Sequence, residues 1–181
     1  DQERASKVFI KSMGGHYTVI DPAKPSRECA FNPLLIVDSK ENRAFLGRWL
    51  EYLAAAWGKI TDEERQLIAK AIDHLYTLPE EKRKLSNIAK GFGAIKKGNM
   101  AHKMTPWYGK GKYSHLFDND REDIVSLDGN MYGFGMSAVV LDKVTLGPIL
   151  SYLFHHIETS LDGTPTIIVL DEAWHLVNNP I

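Results

Sequence analysis

Cysteine is nearly absent: Cys29 is the only one in 181 residues, so no disulfide can form within the chain and a cystine scaffold is excluded. Long apolar runs are absent too. The longest stretches, such as 150–154 and 166–170, fall far short of the roughly 20 residues a bilayer-spanning helix needs. Asp1-Gln2-Glu3-Arg4 has neither the basic start nor the apolar run of a secretory signal. The seven histidines include no metal-ligand spacing: His155-His156 are neighbours that point to different sides of a helix, and no paired cysteines accompany them. Ser137 lacks the glycine spacing of a nucleophile elbow, and Cys29 stands in no motif, which argues against hydrolysis through a side-chain nucleophile. A phosphate-cradling G-x-x-x-x-G-K-[ST] loop is missing, since Gly109-Lys110-Gly111-Lys112 has the wrong spacing. What remains is the composition of a globular chain, with 44% hydrophobic and 25% charged residues.

The net charge of −1 conceals one more absence. Residues 82–117 hold nine basic side chains and no acidic one, whereas 118–181 hold two basic and ten acidic. The basic stretch interleaves its lysines with Phe92, Trp107, Tyr108 and Tyr113. Three readings fit: a single-stranded nucleic-acid surface of cations and stacking rings, a solvated helical face with the rings in its own core, or a contact with the acidic stretch of an adjacent copy.

Along the chain the hydrophobic period changes twice. Residues 5–13 read as a helix with Val8, Phe9 and Met13 on one face, stopped by Gly14-Gly15 and followed by a short strand at 17–20. Three prolines make 21–33 a loop. Asp38 followed by Glu41 predicts a capped helix to about Trp57 with Phe45, Trp49, Leu50, Leu53 and Trp57 as its stripe. Thr61 and Glu64 form a second capping box ahead of Leu67, Ile68, Ala71, Ile72 and Leu75. Short helices are expected at 80–92 and 97–105, a strand at 131–136 and a helix at 145–160. Residues 1–36 and 130–181 are therefore expected to form an α/β part, with 37–129 as a mainly helical insertion.

The most informative feature lies near the end. Thr166-Ile167-Ile168-Val169-Leu170 is a continuous β-branched run of the kind found in a parallel strand buried on both faces, and Asp171-Glu172 follow it directly. Ligands of open parallel sheets bind beyond the carboxyl ends of strands. An acid pair there suits phosphoryl transfer, the first holding Mg²⁺ and the second orienting or deprotonating the attacking water. The plainer reading is that the pair caps a helix beginning at Ala173. Gly133-Phe134-Gly135-Met136-Ser137-Ala138 also matches a short dinucleotide pattern, but neither a firm strand before it nor a clear helix after it is expected, and so short a match is weak.

Several segments, in order, resemble the CagE/TrbE/VirB family of type IV secretion and conjugation ATPases. They are Asp1-Gln2-Glu3-Arg4 with Met13-Gly14-Gly15-His16-Tyr17, Phe31-Asn32-Pro33-Leu34, Trp107-Tyr108-Gly109-Lys110-Gly111-Lys112-Tyr113, Leu116-Phe117-Asp118-Asn119, and Asp162-Gly163-Thr164-Pro165-Thr166 with Leu170-Asp171-Glu172-Ala173-Trp174. The resemblance implies an α/β fold: a RecA-like P-loop ATPase core, partial because the Walker A strand and loop lie outside, carrying an all-α insertion. It makes Glu172 the catalytic glutamate, Asp171 the Walker B aspartate that holds Mg²⁺ through water, and Asp1 a further residue near ATP. It also implies a cytoplasmic protein, peripheral at the bacterial inner membrane, that assembles as a ring, as a hexamer, with other type IV secretion components. Nucleic acid could meet the basic 82–117 block. Arg4, Arg27, Arg43 and Arg121 are the arginine-finger candidates. A DNA-pumping coupling-protein-type motor and a non-enzymatic interaction module are the competing functions.

Overall fold

The computed structural model describes residues 2–24, 30–122 and 131–171. They form helices and one short parallel sheet, compatible with a fragment of an α/β protein. The chain divides into two compact units, residues 1–23 with 127–181, and residues 24–126.

In the first unit, helix α1 (Gln2–Ser12) leads into strand β1 (His16–Val19). Gly14 ends the helix with φ +78°, a left-handed conformation that glycine adopts without a Cβ penalty. Strand β1 pairs in parallel with β2 (Tyr132–Gly135), His16 opposite Tyr132 and Val19 opposite Gly135. Helix α1 packs on this pair. A Cβ on Gly133 would run into Ile10 and the Tyr17 ring, so the strand glycine is there to let the helix approach. The side chain α1 turns toward the sheet is thus Ile10. Val8, Phe9 and Met13, the expected apolar face, are 63%, 58% and 63% exposed. Helix α7 (Ser137–Leu141) and helix α8 (Lys143–Ser160) complete the unit and pack on each other. The α8 N-cap is Asp142, whose carboxylate accepts the Val144 amide at 3.0 Å, so the helix starts at Lys143, two residues ahead of the start anticipated from the stripe.

The strand anticipated at 166–170 is not formed. These residues have no regular structure, and Ile167 and Val169 are 89% and 81% exposed. A strand buried on both faces needs neighbours at both edges and cover above and below. The described residues hold two strands, and those pair with each other.

The second unit is helical. Helices α2 (Lys40–Ala55) and α3 (Asp62–Leu75) form an antiparallel pair, and the short helices α4 (Leu85–Ile88), α5 (Met100–Met104) and α6 (Ser114–Phe117) build out from it, with 3₁₀ turns between. The α3 capping box is present in both directions: Glu64 N donates to Thr61 Oγ1 at 3.2 Å, and Thr61 N donates to Glu64 Oε2 at 2.9 Å. The α2 cap is Ser39 rather than Asp38, because Asp38 faces Arg43 instead. Helix α2 ends before Trp57, which is 43% exposed and lies outside the buried stripe of Phe45, Trp49, Leu50 and Leu53. Trp49, Trp107 and Phe117 meet edge-on and tilted at centroid separations of 5.3–5.7 Å and fill the centre of the unit.

Candidate functional site

The turn ahead of the acid pair is locally determined. Asp162 accepts the Thr164 amide at 2.9 Å, closing an Asx turn across Gly163 (φ +94°), and its carboxyl is held below the ordinary aspartate range by hydrogen bonds from Thr164. Nine residues on, Asp171 stands exposed at the end of the apolar run. Asp1 and Glu172 lie outside the described residues, so no mutual geometry of the three candidates is described. Among the described residues no three His, Cys, Asp or Glu side chains gather into a metal cage. A lone accessible carboxylate fits Mg²⁺, which keeps much of its water shell and takes one or two carboxylates plus phosphate oxygens. Both His155 and His156 are half-buried on α8.

The short dinucleotide pattern runs from inside β2 into the first turn of α7. Its glycines sit within the strand, where Gly133 is accounted for by Ile10 and Tyr17, so they form no cradle beyond the strand end.

The basic stretch resolves largely into structure. Phe92, Trp107 and Tyr113 are buried, leaving Tyr108 as the one half-exposed ring of the four. Trp107 donates its indole N–H to Leu53 O at 2.8 Å. Lys103 is itself buried, its ammonium 2.8 and 2.7 Å from the two Glu64 oxygens and 2.7 Å from Lys59 O. Arg43 is committed to Asp38 and Asp73 and lies over the Tyr76 ring at 4.8 Å, which leaves it poorly placed to act as an arginine finger.

The family-like segments of this unit hold its backbone together. Buried Asn32 donates its amide to Arg83 O at 2.9 Å and Asn119 O at 2.7 Å, and accepts from Leu34 N at 3.2 Å. Asp118 accepts the Ser86 amide at 2.8 Å and the Gly109 amide at 2.9 Å. A Cβ at Gly111 would collide with the Thr105 and Pro106 carbonyls. The signal for these roles was present in sequence as isolated polar residues inside apolar motifs, Phe-Asn-Pro-Leu and Leu-Phe-Asp-Asn.

Comparison with known proteins agrees along the chain. No family model matches it. The type IV secretion system protein virB4 of Bartonella henselae is 34% identical over 176 residues, 96% of this chain and 22% of that protein. The conjugal transfer protein TrbE of Rhizobium radiobacter is 30% identical over 93% of this chain and 20% of its own length, and the type IV secretion system protein PtlC of Bordetella pertussis is 26% identical over 99% and 23%. The chain belongs to the VirB4/TrbE family. It spans between a fifth and a quarter of the length of these relatives. The VirB4/TrbE relatives carry secretion and conjugation names alike. Among the described residues no helix is long and apolar enough to cross a membrane.

Proposed function

We propose that this chain is part of an ATPase that hydrolyses ATP to power type IV secretion or conjugative transfer, and that it supplies the Walker B acids. The observation that carries this reading is the acid pair Asp171-Glu172 directly after an apolar β-branched run, in a chain alignable over nearly its whole length with VirB4 and TrbE proteins. In the complete protein, residues 166–170 would gain sheet neighbours, which is consistent with the exposure of Ile167 and Val169 here. Asp171 would hold Mg²⁺ through its water shell, and Asp1 would lie close to the nucleotide. Bound Mg²⁺ neutralises phosphate charge. Glu172 takes the proton from the attacking water as general base. The proposal places the protein on the cytoplasmic side of the inner membrane, peripheral to it, as a ring of copies among other secretion components. Burial of Phe92, Trp107 and Tyr113 within 82–117 favours this reading over a DNA pump that stacks bases on that stretch.

The test is ATP turnover of the complete protein as a function of Mg²⁺. Asp171→Asn should shift the Mg²⁺ requirement upward, because a neutral amide is a poorer partner for a hard cation and its waters. An unchanged Mg²⁺ response would remove Asp171 from the site.

A further inference from the structure

The loop between the 3₁₀ turn at Ala89–Phe92 and α5 is built to hold an aliphatic side chain in water. All six residues from Gly93 to Gly98 are exposed, and Ile95 at the apex is 60% exposed. Gly93 and Gly98 bracket the loop at φ +82° and +83°; no atom lies within 4 Å of a Cβ built on either, so backbone conformation rather than crowding calls for glycine. Asn99 fastens the loop from inside. Its amide donates to Ala94 O at 2.9 Å, while its carbonyl accepts from Lys96 N at 3.2 Å and from His102 N at 3.0 Å. A turn fixed in this way, rather than a loose one, keeps Ile95 from folding back onto the protein.

The chemistry around that apex is one-sided. Lys96 and Lys97 follow Ile95 directly, their side chains make no ion pair among the described residues, and no acid occurs anywhere in 82–117. A single-stranded nucleic acid would also use stacking rings beside these cations, and Phe92, Trp107 and Tyr113 are buried. A protein partner is usually anchored by Trp, Tyr or Arg, and the loop offers none. An aliphatic apex with two adjacent lysines instead matches the interface of an anionic bilayer, where the apolar side chain enters the headgroup boundary and the ammonium groups meet lipid phosphates.

We propose that the Gly93–Gly98 loop is a membrane-contact element that seats Ile95 into an anionic lipid surface while Lys96 and Lys97 bind its phosphates. The proposal rests on the membrane-peripheral placement given above and names the surface that makes it. One loop of this kind binds weakly and reversibly, and a ring of copies would multiply it.

The experiment is co-sedimentation of the 181-residue chain with vesicles of equimolar phosphatidylethanolamine and phosphatidylglycerol, against phosphatidylcholine vesicles. The first unit also exposes apolar side chains, so the deciding quantity is the difference between the parent and loop variants. Lys96→Gln with Lys97→Gln should lower partitioning onto the anionic vesicles by about 30-fold, from two lysines each favoured near the surface. Ile95→Ser should lower it by roughly tenfold. Both sets of side chains are exposed, so the urea midpoint should stay at the parental value, confirming that folding is intact. Parental partitioning in both variants, absence of a preference for the anionic vesicles, or lysine-dependent binding to a single-stranded oligonucleotide in place of vesicles would each overturn the proposal. None of these outcomes touches the ATPase reading, which is tested by Mg²⁺-dependent turnover.

Discussion

Lys103→Met tests how the helical unit is held together. In the parent, the ammonium spends its contacts on both Glu64 oxygens and on Lys59 O, with the two side chains only 5% and 9% exposed. Methionine matches the stem in length but leaves the Glu64 carboxylate buried with the Thr61 amide as its remaining backbone partner in the capping box. Removing one partner of a buried pair costs about 3–5 kcal/mol. For a unit of this size that is a fall in melting temperature of roughly 15–30 °C. Glu64→Gln combined with Lys103→Met should recover most of the loss, because no buried charge is then left over. The sign of the pH dependence is a second readout. Burial pushes the Glu64 carboxyl up, but the Lys103 hydrogen bonds and the Thr61 amide outweigh it, and the net result lies below the ordinary value of 4.5. A depressed folded value means that the stabilisation is complete above that ordinary value and is lost as pH falls through the folded value. In Lys103→Met burial prevails, the folded value is raised, and stability should instead increase as pH is lowered from 7 toward 5. Urea unfolding followed by the fluorescence of buried Trp49 and Trp107 measures both. A single variant within about 1 kcal/mol of the parent, or one with the parental pH trend, would refute the reasoning.

Three further outcomes follow from local geometry. Asn32→Asp removes both amide donors and points a carboxylate at the Arg83 and Asn119 carbonyls, which should cost about 3 kcal/mol in denaturant unfolding. Gly133→Ala forces Ile10 and the Tyr17 ring apart, and should destabilise the first unit by about 1–3 kcal/mol, read as faster amide exchange in β1 and β2. Residues 24–126 expressed alone should unfold in one cooperative transition, since the Asn32 amide to Glu122 (2.6 Å) and the Phe31 amide to Leu116 O (2.9 Å) join the two ends of that unit.

Legibility in the sequence followed the range of the forces involved. Helices α2 and α3 could be read because a cap and a repeating stripe are local signals, and the Thr61–Glu64 box is formed as its spacing indicated. Strands β1 and β2 could be located, although Gly133 weakened the second, because alternation and flanking turns are local too. The orientation of α1 could not be read, as Ile10 and the Val8–Phe9–Met13 face are both apolar and only the glycine opposite Ile10 decides between them. Lys103 counted as part of a basic surface until Glu64, distant in sequence, was seen to bury it. Residues 166–170 show the opposite limit: a buried-strand composition specifies a sheet position, yet the neighbours that would bury it are not among the described strands. Of the candidate site, Asp171 alone has a described position, and the assignment of Glu172 and Asp1 rests on motif and family.

The role proposed for Asp171-Glu172 is that of acids in an ATPase site and not of a helix cap. It is tested most directly by Glu172→Gln in the complete protein, with ATP binding and ATP turnover measured side by side. Glutamine keeps the size and one oxygen but cannot accept a proton from water. MgATP should still bind while turnover falls by about 10²- to 10⁴-fold, the usual contribution of a positioned general base. Turnover near the parental rate would contradict it and leave the pair with a structural role.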